Sequence, residues 1–224
     1  MPKIIKIFLF ILLSAQIHAQ DIVSGGNLKP SQAVYDVLHY SFTLDINIAQ
    51  KSISGNTIIK IFLKENTSEI AFDLINVYQV KSVWIDKTMV AFTHQKDLIR
   101  LSQPNLLTAG LHNIKVEYSG PPPVAVRPPW KGGIQWEKDD NNDPWIAFTC
   151  QNEGAKMLFP CKDHPSDKPD EGAAMKISVP KGLKVAGPGR LVKEETKGAK
   201  STFTWQKTYP IHNYSLVFNI EKYE

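Results

Sequence analysis

The chain has 224 residues, 42% of them hydrophobic and 21% charged, which suits one large globular domain or two small ones. Its formal net charge is +4, and removing Lys3 and Lys6 with the first segment leaves +2. So weak a field, with no basic patch interleaved with aromatics, excludes a nucleic-acid binder.

The elements follow in chain order. Residues 1–19 carry a positive start, Lys3 and Lys6, then the apolar run Ile-Phe-Leu-Phe-Ile-Leu-Leu over 7–13, then Ile17-His18-Ala19. This reads as a secretory signal cleaved near Ala19, because the run is too short for a bilayer of about 30 Å. The expected location is exported, periplasmic or extracellular, with no membrane span in the mature chain. Residues 20–34, with Gly25-Gly26, Asn27, Pro30 and Ser31, read as a flexible polar leader.

From 35 onward the period is two. Tyr40, Phe42, Leu44, Ile46 and Ile48 alternate with Ser41, Thr43, Asp45 and Asn47, the pattern of a half-buried strand. Ser54-Gly55-Asn56 reads as a turn into a second strand over 57–63. Short strands are predicted over 70–74, 77–85, 89–93, 98–101, 111–118, 145–150, 174–179, 183–187, 201–208 and 213–220. No window sustains a 3.6-residue apolar period, so no helix beyond about three turns is expected. Residues 120–129 hold five of the fifteen prolines, which rules out a central strand or a helix there. The fold class is therefore all-β, an antiparallel β-sandwich of saddle-shaped sheets with long Pro/Gly-rich loops.

The chemistry gathers at one place. Gln151-Asn152-Glu153 ends an apolar run, and Phe159-Pro160-Cys161-Lys162-Asp163-His164-Pro165 follows closely. In an extended chain Gln151 and Glu153 share one face and Asn152 takes the other. A carboxylate beside an amide suits a charged amine: the first neutralises it and the second accepts one of its protons. That reading places Glu153 at the surface.

Other groupings carry less. Asp163, His164, Asp167, Asp170 and Glu171 resemble a metal cluster on paper, but the prolines among them force turns and one histidine is no zinc triad. Asp139 to Asp143 fails as an EF-hand, since the sixth and twelfth positions are Pro144 and Cys150. Asn66-Thr67-Ser68 and Asn213-Tyr214-Ser215 match the N-glycosylation sequon. Trp130, Trp136 and Trp145 read equally as interface or as sheet caps. Cys150 and Cys161, the only cysteines, fit either a disulfide of an exported chain or two free buried thiols.

The Gln-x-Glu tripeptide and the Phe-Pro-Cys-Lys-Asp-His-Pro segment at this spacing resemble the N-terminal β-domain of the zinc aminopeptidases of the aminopeptidase N and leukotriene hydrolase family. Tyr35-Asp36-Val37-Leu38-His39-Tyr40, Lys131-Gly132-Gly133, Asn142-Asp143-Pro144-Trp145, Met175-Lys176-Ile177-Ser178-Val179-Pro180 and Tyr209-Pro210-Ile211-His212-Asn213-Tyr214 follow in the family's order. The resemblance spans 35–224. It implies that Glu153 helps hold the free α-amine of a peptide, that Gln151 lines the first side-chain pocket, and that Asp163 and Pro165 are structural. The family's H-E-x-x-H zinc signature does not occur in the chain. The sequence reading is thus the non-catalytic N-terminal domain of an exported zinc metallopeptidase. It has no catalytic residue, metal ligand or cofactor of its own. Its partners are a catalytic domain absent from this chain, which carries the family's zinc, and peptide N-termini as substrate. The alternative is a stand-alone β-sandwich module with no peptidase role.

Overall fold

The computed structural model describes residues 23–223. After a single helical turn, α1 (Pro30–Ala33), come fifteen strands: β1 (Tyr35–Asn47), β2 (Ser52–Leu63), β3 (Thr67–Asp73), β4 (Gln79–Ile85), β5 (Thr88–Val90), β6 (Thr93–Gln95), β7 (Leu98–Leu107), β8 (Gly110–Gly120), β9 (Gly133–Lys138), β10 (Pro144–Thr149), β11 (Ala173–Pro180), β12 (Lys184–Ala186), β13 (Arg190–Lys197), β14 (Lys200–Lys207) and β15 (Asn219–Glu221). Two 3₁₀ turns, Ala155–Met157 and Asn213–Ser215, complete the set. The all-β class read from the period-2 pattern holds.

The strands form three sheets rather than two. The large one runs β13-β14-β11-β1-β2-β8-β4-β5; the others are β12-β15-β10-β9 and β3-β7-β6. All pairings are antiparallel except β1 with β11, where Tyr40 lies opposite Ala173 and Asp45 opposite Ser178. A parallel pair needs a long crossover, and the chain between β1 and β11 supplies it. One continuous core joins the sheets: Phe42, Leu44 and Ile177 from the first, Ile146 and Phe148 from the second, Phe72 and Ile99 from the third. The alternation of β1 decides its inner face, with Tyr40, Phe42, Leu44 and Ile46 all buried.

Three details differ from the sequence reading. The β1–β2 hairpin turns at 48–51, where Lys51 N–H donates to Ile48 O at 3.2 Å and the Asn47 side chain caps Gln50. Gly55 lies inside β2, and a Cβ there would stand 1.9 Å from Thr43 O, so this glycine serves close strand approach rather than a turn. β9 and β13 carried no recognisable apolar alternation, β13 being an almost wholly exposed edge strand. The 213–220 segment is a 3₁₀ turn followed by a three-residue strand.

The described part of the leader, residues 23–34, makes specific contacts with the sheets. Lys29 and Gln32 both reach Asp73 with their side chains, and Ser24 and Gly25 bond to the segments around Asn152 and Asp163. Residues 23–34 are part of the fold. The segment read as a signal lies outside the described residues. Among the described residues no helix is long and apolar enough to cross a membrane.

Candidate functional site

The segment after β10 is held from below by three tyrosines. Tyr78 Oη donates to Met157 O at 2.7 Å, Tyr118 Oη donates to Leu158 O at 3.0 Å, and Lys162 N–H donates to Tyr40 Oη at 3.0 Å. Phe159 stacks on Phe42 with centroids 4.7 Å apart, so the Phe-Pro-Cys part of the motif is core. Cys161 pairs with Asp73 as an isolated antiparallel bridge. Burial pushes the phenols of Tyr40 and Tyr78 well up, which keeps them neutral donors and acceptors.

A buried ionic network sits beside this pin. Lys162 Nζ pairs with Asp167 Oδ2 at 2.6 Å, donates to Tyr35 O at 2.8 Å and lies 4.9 Å from the Tyr35 ring centroid. Asp163 accepts from Ser24 Oγ at 3.0 Å and pairs with Lys156 at 3.1 Å, while its N–H donates to Asp73 Oδ2 at 3.0 Å. Burial raises the Asp163 carboxyl above the usual range, and Lys156 and Ser24 pull it part of the way back. Sequence reasoning marked Asp163 as structural and missed Lys162, Lys156 and Asp73. Their signal was there: each is a charged residue next to a fully apolar stretch, and such a charge needs a partner when buried.

The Gln-x-Glu segment is not extended. β10 ends at Thr149, and residues 151–153 turn, closed by Gly154 N–H donating to Cys150 O at 2.8 Å. The reason lies at Gly154, whose φ of +85° only glycine adopts readily, and whose Cβ position would stand 2.1 Å from Asp163 Oδ1. The shared-face geometry expected for Gln151 and Glu153 therefore does not hold. Gln151 is exposed and lines a cavity of about 170 Å³ with Asp163, His164, Asp167, His212 and Tyr214. Glu153, expected at the surface, is buried at 9% exposure, and its Oε2 has no hydrogen-bond partner among the described residues. Thr149 Oγ1 and Asn213 Oδ1 are likewise buried without a hydrogen-bond partner among the described residues, and Asn213 lines the cavity. Buried polar groups are ordinarily paired, so the Glu153 carboxylate is an exception that calls for an explanation.

The remaining candidates are taken up by other partners. Glu171 pairs with Lys60 and His164 bonds to Ser166 and Gly26; among the described residues no three His, Cys, Asp or Glu side chains converge as a metal site. These residues do not fit a zinc centre. Asp139 caps its own turn by accepting from Asn141 and Asp143 N–H. Asn213 is buried, with its amide donating to Lys162 O at 2.9 Å, so its sequon is closed in the folded chain. Cys150 and Cys161 are free and buried, and burial raises both thiols. Trp130 is exposed, as are Val124, Val126 and Tyr214, and Trp130 O accepts from the Asn152 amide at 2.6 Å. The proline-rich excursion thus brings exposed apolar side chains to the rim of the Gln151 turn.

The sheets and this turn together define an all-β domain with one site at its rim. Residues 36–214 match the Peptidase M1 N-terminal domain, and the chain belongs to that family. In fold it is similar to an M1 zinc metallopeptidase from Deinococcus radiodurans, with a TM-score of 0.72 and 21% identity. The match covers 85% of this chain and 43% of that one. Mutant forms of such enzymes bound to a Tyr-Ser-Ala substrate and, in a two-domain form, to L-arginine match with the same score and coverage. The chain therefore spans under half the length of these structures. No curated protein matches it.

Proposed function

We propose that this chain is the N-terminal domain of an exported zinc aminopeptidase, where Glu153 and Gln151 recognise the free α-amine of a peptide and form one wall of the cleft. The observation that carries the reading is the Glu153 carboxylate, buried with Oε2 unpartnered beside exposed Gln151. A buried charged acceptor without a donor is costly, and an ammonium group supplies both the opposite charge and the missing donors. Gln151 then offers an amide carbonyl from the cavity side. Zinc and the water it activates belong to the catalytic half of the protein, against which the exposed Val124, Val126, Trp130 and Tyr214 would pack. Export rests on the 1–19 segment.

The test is a titration of the chain, followed by its amide NMR spectrum, with a free-amine dipeptide amide and with its N-acetylated form. The free amine is expected to move Gln151, Glu153 and Gly154 saturably and the acetylated form to leave them still. Equal responses to both ligands would overturn the reading.

A further inference from the structure

Residues 23–26 run along the Gln151–Glu153 turn as a strap. Ser24 N–H donates to Asn152 O at 2.8 Å and Gly25 N–H donates to Asp163 O at 3.2 Å. Lys156 Nζ donates to Val23 O at 2.6 Å. The His164 ring accepts from Ser166 N–H at Nδ1, at 3.2 Å, so the neutral ring carries its proton on Nε2, which lies 3.1 Å from Gly26 O and donates to it. One contact uses a strap side chain, Ser24 Oγ to Asp163 Oδ1. Four of the five bonds thus read main chain, two N–H and two C=O groups in succession, as a bound extended peptide is read.

The receiving groups come from two separate segments, each with contacts of its own outside the strap. Asn152 sits on the turn closed by Gly154, Asp163 is pinned by Asp73 and Lys156, and His164 by Ser166. Ser24 and Gly25 form a wall of the Gln151 cavity. The strap's own geometry is its weak point. Gly25 and Gly26 have φ of +79° and +83°, while their Cβ positions are almost free, with one contact at 3.6 Å for Gly25 and none within 4 Å for Gly26. A side chain there strains the strap backbone and touches little else.

We infer that the groove between the Gln151–Glu153 turn and the Asp163–His164 segment is a binding site for the main chain of an extended, small-side-chain peptide, and that Val23–Gly26 occupies it in cis as a displaceable strap. A peptide offered in trans must compete with the seated strap. If the strap is closed more than about 90% of the time, the apparent affinity falls about tenfold or more.

The experiment uses the whole chain, the variant Gly25→Val/Gly26→Val, and Ser24→Pro as a second variant that removes one strap N–H and the hydroxyl. The probe is acetyl-Val-Ser-Gly-Gly-amide. In the unaltered chain the Ser24 and Gly25 amides are expected to exchange at least about tenfold slower than in an unstructured peptide. Both variants are expected to keep the dispersed spectrum of β1 and β2 and to bind the probe at least about tenfold more tightly than the unaltered chain does, moving the Asn152, Lys156 and Asp163 amides. Unprotected strap amides, or variants that bind the probe no better, would overturn the inference. The probe has no free amine, so its failure leaves the Glu153 reading standing, and failure of the free-amine titration leaves this one standing.

Discussion

Replacing Glu153 by glutamine is expected to stabilise the unliganded chain. Surface carboxylates contribute little to stability, and Glu153 is not one: it is buried, and Oε2 has no donor among the described residues. Leaving a buried polar group unpaired costs about 1–3 kcal/mol, and more for a charge. Glutamine keeps the shape and removes the charge, but its amide also wants partners, so about 1–2 kcal/mol is the expected gain. For a domain of this size each kcal/mol moves the thermal midpoint by roughly 2–4 °C. A rise of about 2–8 °C follows, read by circular dichroism on the chain and on Glu153→Gln side by side at neutral pH. A fall of more than about 2 °C would refute the reasoning, because it would mean that the carboxylate already makes a favourable interaction in the empty site.

Two further outcomes follow from the neighbouring network. Lys162→Met leaves Asp167 charged and buried, and breaking such a pair is expected to cost about 3–5 kcal/mol in urea unfolding; a loss under about 1 kcal/mol would show the pair to be dispensable. Asp163, whose carboxyl is raised by burial, holds its proton more tightly folded than unfolded, so its contribution weakens the fold as pH rises past the unfolded value of about 3.9. The slope of unfolding free energy between pH 4 and 5.5 should accordingly be more positive in Asp163→Asn than in the unaltered chain, and an unchanged or more negative slope would contradict the assignment.

The class of fold was legible because β1 buries one whole face, so its alternation survives in the sequence from Tyr40 to Ile46. β13 was not legible, since an exposed edge strand has no buried face to imprint a period. Gly55 looked like a turn because local sequence cannot tell a glycine that bends the chain from one that lets Thr43 approach. At the site, residue identity carried the family and failed on geometry. The types and spacing of Gln151 and Glu153 suggested a shared extended face, but Gly154 turns the chain against Asp163, a contact nine residues away that no periodicity encodes. The Lys162–Asp167 and Lys29–Asp73 pairs depend on long-range packing in the same way.

The most direct measurement is kinetic, on the longer aminopeptidase of which we propose this chain is the N-terminal domain. Loss of one charged hydrogen bond in a closed site is worth roughly 2–4 kcal/mol. Glu153→Gln is therefore expected to lower kcat/KM on an aminoacyl anilide by about thirty- to a thousandfold while zinc content stays unchanged. An unaltered kcat/KM, with the variant folded and zinc-loaded, would contradict the role assigned to Glu153.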